Sequence, residues 1–420
     1  MKKRIAAGAL LLPLILTAAL PFSGCATAGA VRADDLTAGV QANNVGADVG
    51  LAGGSAEAVA GFAVALAQNS LTGGENGLIS PLSVLSALAM TANGAAGATR
   101  DEMEQAFGLS VPELNAYLHA YLAALPSGDK YQLSPANSIW FKDDGSFTVV
   151  PQFLQANADY YGASIYKAAF DDATLKDING WVRDQTDGMI ESILDQIPED
   201  AVMYLVNALA FDAEWQDIYH ADQVREGLFT TESGKERQVE LMYSEERQYL
   251  DDGRAVGFVK YYADQQYAFA ALLPNQGLSV ADYLASLTGA GLMETLSNAE
   301  SVTVNAGLPK FTGEYSLEMS GPLQALGMRL AFDPGQADFS GLGSSAKGNI
   351  YISRVLHKTF IAVDERGTKA GAATAVEMEA TSAPAEEPKT VRLDRPFVYL
   401  LIDCETNLPL FIGAVMDIGQ

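Results

Sequence analysis

The chain has 420 residues, 49% of them hydrophobic and 19% charged, with 26 Lys and Arg against 52 Asp and Glu and a formal charge of −26. That composition excludes an intrinsically disordered chain and a basic nucleic-acid binder, and the length suffices for a large core. No internal period divides the sequence.

Lys2, Lys3 and Arg4 precede an apolar run from Ile5 to Leu20 that Pro13 interrupts. This is the charged-then-apolar layout of a secretory signal, too short for a transmembrane helix. The tetrapeptide Phe22-Ser23-Gly24-Cys25 that follows resembles the lipobox of bacterial lipoproteins. The resemblance implies removal of residues 1–24, lipid on Cys25, and an exported, membrane-anchored protein. Residues 25–54 show neither helical nor alternating pattern and read as a flexible tether, leaving a folded domain over 55–420. With Cys25 acylated, the one other cysteine, Cys404, has no disulfide partner and is expected as a buried structural thiol.

Helical spacing begins at Ala56 to Gln68, with Val59, Phe62, Ala63 and Leu66 on one face, and continues at Pro81 to Ala92 behind Ser80 as N-cap. Thr99-Arg100-Asp101-Glu102 fits a capping box opening a short helix to Phe107. Further helices are predicted near 112–124, 150–160 and 174–187. The run from Val202 to Phe211 is almost continuously apolar, as in a central strand covered on both faces, and Asn207 within it needs polar partners. Strand-like runs recur at Ala268 to Leu273, Val302 to Val304, Phe360 to Val363, Phe397 to Ile402 and Leu410 to Val415. Because helices and strands do not alternate regularly, the fold class is α+β.

Between the runs at Phe360 and Phe397, Glu365 to Arg395 lacks a core-forming pattern, and loops of that length are usually functional. Its first half has a period of two. Thr368, Ala370, Ala372, Thr374, Val376, Met378 and Ala380 are uncharged, whereas Lys369, Glu377 and Glu379 all fall on the other parity. A strand with one buried and one solvated face requires such parity, so the segment reads as a loop that can become a strand.

The stretch Glu365-Arg366-Gly367-Thr368-Lys369-Ala370-Gly371-Ala372-Ala373-Thr374 resembles the hinge of the reactive-centre loop in inhibitory serpins. Ile79-Ser80-Pro81-Leu82-Ser83, Asn179-Gly180-Trp181-Val182, Val206-Asn207-Ala208 with Trp215, Leu308-Pro309-Lys310-Phe311 and Leu393-Asp394-Arg395-Pro396-Phe397-Val398-Tyr399 match the same family in order. The resemblance implies three β-sheets with about nine helices and an exposed reactive-centre loop over about 365–392. It implies a serine-protease inhibitor, not an enzyme, that forms a covalent complex with its target protease, acts as a monomer, and needs no cofactor, metal or nucleic acid.

Residue by residue, it makes Glu365, Gly367, Thr368, Ala370, Ala372, Ala373 and Thr374 the hinge. Ser80, Ser83, Asn207 and His357 become a shutter under the central sheet, and Trp215, Lys310 and Glu365 a breach at its top, with an ion pair between Lys310 and Glu365. Counting from Glu365 places the reactive bond at Thr381-Ser382, with Met378 as the alternative. Since no Lys or Arg occurs from Ala370 to Pro388, an elastase-like or subtilisin-like target fits better than a trypsin-like one. Lys369, Gly371 and the long stretch after Ser382 depart from the family pattern.

Two other readings compete. Ser127-Gly128-Asp129-Lys130 and Ser344-Ser345-Ala346-Lys347 have the Ser-x-x-Lys form of penicillin-recognising hydrolases, but four-residue patterns arise by chance and both sit in polar loops. The other is a serpin that no longer inhibits and serves as a binding module, which the small, uncharged inserting face disfavours.

Overall fold

The helix Pro81–Ala92 is buried along its whole length, apolar all round as a helix enclosed by other elements must be. Pro81 fixes the first turn, and the Ser80 hydroxyl accepts from the Ser83 amide at 3.3 Å. It packs against the strands Tyr131–Lys142, Met203–Glu214 and Pro409–Val415, so the centre of the core lies under it. The helix Gly54–Ser70 turns Val59, Phe62, Ala63 and Leu66 inward and crosses Gly289–Ser297 closely. A Cβ at Gly289 would lie 2.3 Å from the Gly61 nitrogen, so only glycine permits that crossing.

The computed structural model describes residues 31–46, 49–71, 74–368 and 387–418. Among these residues there are nine α-helices and three sheets, an α+β architecture. The seven-stranded sheet runs in the order Asp34–Asp35, Ser164–Ala168, Tyr131–Lys142, Met203–Glu214, Gly367–Thr368, Arg354–Val363, Phe311–Glu318. A nine-stranded sheet lies beneath; its path runs from Lys389–Arg392 through Glu300–Pro309, Glu236–Asp251 and Ala255–Tyr261 to Tyr267–Pro274, Phe397–Asp403, Pro409–Val415 and Gly77–Ile79. Val224–Thr230 joins it beside Glu236–Asp251, and Thr148–Val149 with Gly343–Ser344 forms the third sheet. No helix among the described residues is long and apolar enough to cross a membrane.

Three expectations need correction. Residues 31–46, expected within a flexible tether, lie along the domain. Arg32 and Ala33 amides donate to the Asp177 carboxylate at 2.9 and 3.1 Å, Asp34–Asp35 pairs antiparallel with Tyr166–Lys167, and Asn43 donates to Asp159 at 2.7 Å. Backbone groups make most of these bonds, which is why no side-chain pattern announces them.

Thr99 and Glu102 do not cap a helix: the helix is Gly97–Phe107 with Ala96 before it. The Thr99 hydroxyl instead accepts from the Asp338 amide, and the Glu102 carboxylate from the Arg329 and Leu330 amides. Finally, the expected structureless stretch to Arg395 ends earlier, because Lys389–Arg392 pairs parallel with Val304–Gly307 and buries Val391. The signal segment and Cys25 lie outside the described residues. Cys404 is half-buried and free, and burial, helped by the Asp403 charge, pushes its thiol up to about 12.

Candidate functional site at the opening of the seven-stranded sheet

The strands Met203–Glu214 and Arg354–Val363 pair parallel from Tyr204 with Arg354 to Leu209 with Thr359. Above that seam the next rungs belong to Thr368, which faces Ala213 on one side and Val363 on the other, antiparallel to both. Thr368, the first residue of the uncharged parity, thus stands between the two strands. Asp364 makes the turn that brings it there: its carboxylate accepts from the Arg366 and Gly367 amides at 2.8 and 3.3 Å. A Cβ at Gly367 would come within 2.0 Å of the Ala213 carbonyl oxygen, so the approach to the strand is open only to glycine.

Thr368 is buried, and its hydroxyl meets that of Tyr262 at 2.5 Å. The Tyr262 ring stacks on Trp215 with centroids 4.4 Å apart and planes 10° from parallel. Burial holds its phenol well above the ordinary range, so it stays protonated. Three consecutive backbone carbonyls before Thr368 are gripped by one segment: Trp215 donates its amide to Arg366 at 2.7 Å and its indole N–H to Asp364 at 2.9 Å, and Tyr219 donates its amide to Glu365 at 2.8 Å. Lys310 Nζ pairs with the Glu365 carboxylate and lies 3.1 Å from Glu240. Partial burial works to raise the Glu365 carboxyl, but the hydrogen bond and charge of Lys310, together with a backbone hydrogen bond, hold it below its ordinary value. Trp215, Lys310 and Glu365 therefore do meet at the top of the sheet.

Lower in the seam, His357 and Asn207 form one rung of the parallel pairing. His357 Nε2 accepts from the Ser80 amide at 2.9 Å while its Nδ1–H donates to Asn207 Oδ1, which fixes the neutral tautomer. Burial pushes this imidazole down to about 3. The Ser80 hydroxyl donates to the Leu410 carbonyl at 2.9 Å, and the Ser83 hydroxyl to Asn137 Oδ1 at 3.3 Å. Ser80, Ser83, Asn207 and His357 thus lie in one cluster that clamps the two strands against the buried helix.

The expected hinge positions Ala370, Ala372, Ala373 and Thr374 and the expected reactive bond Thr381-Ser382 lie outside the described residues. Both Ser-x-x-Lys lysines are engaged elsewhere: Lys130 pairs with Glu214 at 2.8 Å and Lys347 donates to the Asp144 carbonyl.

Several residues of the site escaped the sequence reading. Asn137 faces Asn207 across Tyr131–Lys142, a strand that carried no clear pattern, and the Thr359 hydroxyl donates to Leu78 at 2.8 Å. Tyr219, Tyr262 and Lys260 were missed as well. Lys260 shares its parity with the apolar Phe258 and Tyr262, and a lysine on a core face is the signal that could have found it.

The family model for serpins, described as serine protease inhibitors, matches residues 57–418. The chain is a serpin. Human Serpin B8 is 32% identical over 351 residues, covering 80% of this chain and 92% of its own, and human leukocyte elastase inhibitor is 28% identical, covering 83% and 94%. The native-state crystal structure of the thermophilic serpin tengpin superposes with a TM-score of 0.89 at 48% identity, covering 92% of this chain and all (100%) of that one. Tengpin in its latent state, also 48% identical and covering 90% of this chain and 100% of its own, superposes at only 0.78. At the same identity, this serpin superposes more closely on the native-state structure than on the latent-state one.

Proposed function

We propose that this serpin inhibits serine endopeptidases as a suicide substrate. The target's serine attacks the Thr381 carbonyl, the peptide bond to Ser382 breaks, Ser382 leaves as a free amine, and the Thr381 acyl group stays on the protease. The freed loop then inserts as a strand between Met203–Glu214 and Arg354–Val363 and drags the acyl-enzyme with it. About fourteen residues at about 3.3 Å each carry it on the order of 45 Å, and deacylation fails because the protease site is distorted.

One observation carries this reading: Thr368 is already seated at the head of the gap, in register with both strands. Insertion below it would replace one parallel seam, from Tyr204–Arg354 to Leu209–Thr359, with two antiparallel ones. Antiparallel rungs are slightly the more stable per residue, and the uncharged parity of the loop would be buried as they form. An elastase-like or subtilisin-like target is supported by the absence of Lys and Arg from Ala370 to Pro388 and by the name of the leukocyte elastase inhibitor among the relatives. The protein acts as a monomer, exported and held to the membrane through lipid on Cys25; the lipobox-like Phe22-Ser23-Gly24-Cys25 supports that part.

The test is incubation with elastase-like, subtilisin-like and trypsin-like proteases, followed by denaturing gels and mass spectrometry of the released C-terminal fragment. A denaturant-resistant complex, with a fragment beginning at Ser382, is expected. Cleavage without complex and without a gain in thermal stability would instead mark a non-inhibitory serpin that acts as a binding module.

A further inference from the structure

Beneath the hinge lies a buried ammonium that the proposed mechanism has not used. Lys260, on the strand Ala255–Tyr261, is 2% exposed. Its Nζ lies 3.0 Å from the Glu246 carboxylate and 3.2 Å from the Asp217 carbonyl, 4.3 Å from the centre of the Tyr219 ring and 5.4 Å from that of Trp215. Glu246 also accepts from the Ser244 hydroxyl at 2.6 Å, and Ser244 meets the Tyr219 hydroxyl at 3.2 Å. Tyr219 is thereby held both at its face and at its hydroxyl.

A buried ion pair is weak evidence for stability, because apolar residues of the same volume often serve as well. What sets Lys260 apart is the segment it touches. Residues 215, 217 and 219 alternate along the chain, and the single ammonium contacts all three: two rings and one carbonyl between them. The same segment turns the Trp215 and Tyr219 amides and the Trp215 indole toward Asp364, Glu365 and Arg366. One charge therefore underlies every one of the three hydrogen bonds that hold the hinge backbone.

We propose that Lys260 is a positioning residue for loop insertion: it fixes the 215–219 segment, and through it keeps Thr368 at the head of the gap before the loop is cleaved. The consequence for inhibition rests on the suicide-substrate reading; the consequence for the hinge does not. A hinge that is not held must find the gap after cleavage, while the acyl-enzyme is exposed to water.

The test compares wild type with Lys260→Met, Lys260→Arg and the double variant Lys260→Met/Glu246→Gln, the last removing both buried charges so that no orphaned carboxylate unfolds the protein. Two readouts are taken: moles of inhibitor consumed per protease trapped, and amide hydrogen exchange. Lys260→Met and the double variant are expected to consume about threefold to tenfold more inhibitor, the effect of one lost hydrogen bond on the insertion rate, with the rate of first cleavage unchanged. The amides of Trp215, Tyr219 and Thr368 should exchange about tenfold faster while those of Asn207 and His357 stay as in wild type. Lys260→Arg, which keeps the charge, should restore both. Equal exchange at 215, 219 and 368 in Lys260→Met and wild type would overturn the proposal, as would acceleration of equal size at the hinge and at the His357 seam. Should wild type trap no protease, the inhibitory reading fails by itself, and the exchange data still decide the role of Lys260.

Discussion

The two strands that would part during insertion are held in different ways at their two levels. At the His357 rung every contact is between neutral groups: an imidazole kept uncharged, two amides, two hydroxyls and a backbone N–H. At the opening above it, neutral hydrogen bonds of Trp215, Tyr219 and Tyr262 are joined by ionic and aromatic contacts, with Lys310, Glu365, Lys260 and Glu246 around stacked Trp215 and Tyr262. Neutral hydrogen bonds are short-ranged and can be exchanged one for one as rungs change partner. Charges act further, so in the proposed mechanism the opening would set the register of the entering strand while the seam below would set the resistance to it.

Substitutions can break that division of labour at each level. The largest effect is expected from Thr368→Arg, because it puts an unpaired charge where a hydroxyl is buried against Tyr262. Insertion should stall, and trapping measured as gel-stable complex should fall at least about a hundredfold while cleavage continues. At the seam, His357→Leu leaves the Ser80 amide and Asn207 Oδ1 without their partner and should lower stability by about 3 kcal/mol in urea unfolding.

The same histidine predicts a pH dependence. Its ordinary value of 6.5 applies to the unfolded chain, whereas burial holds it at about 3 in the fold. Below about pH 6.5 the unfolded state takes up a proton that the folded state refuses, so stability is lost as pH falls through that window. This amounts to about 2 kcal/mol between pH 7 and pH 5. A His357→Gln variant should lack this share of the loss. The smallest effect belongs to Lys310→Met. Its pair with Glu365 is partly exposed, so stability should move by only about 0.5 kcal/mol. Spontaneous loss of inhibitory activity on storage should nevertheless quicken about twofold, since the pair bears on the hinge rather than on the core.

Strong patterns were legible in the sequence. The helix Pro81–Ala92 and the central strand through Asn207 could be read because their residues are apolar almost without interruption. Thr368 stood out by parity, and its burial at the sheet opening agrees with the face on which it was placed. The strands Glu236–Asp251 and Ala255–Tyr261 were not legible: the first presents charges through most of its length, and in the second Lys260 interrupts the apolar run. Tyr262 and Tyr219 contribute through contacts made across three distant segments, and nothing in their local neighbours marks them. The stretch 31–46 was misread because it is bonded through its backbone.

That stretch has one more effect, on how the molecule meets its neighbours in solution. A sheet that takes up an extra strand in its middle, as proposed above, would be a hazard if its rim could do the same. At one rim the last strand among the described residues is only two residues long, Asp34 and Asp35, both exposed. A strand so short and so acidic gives a second molecule little to align on and repels another carrying the same pair, which is how natural sheets avoid edge-to-edge aggregation. That boundary thus opposes strand addition at the rim, leaving the middle of the sheet as the place where the proposed mechanism would add one.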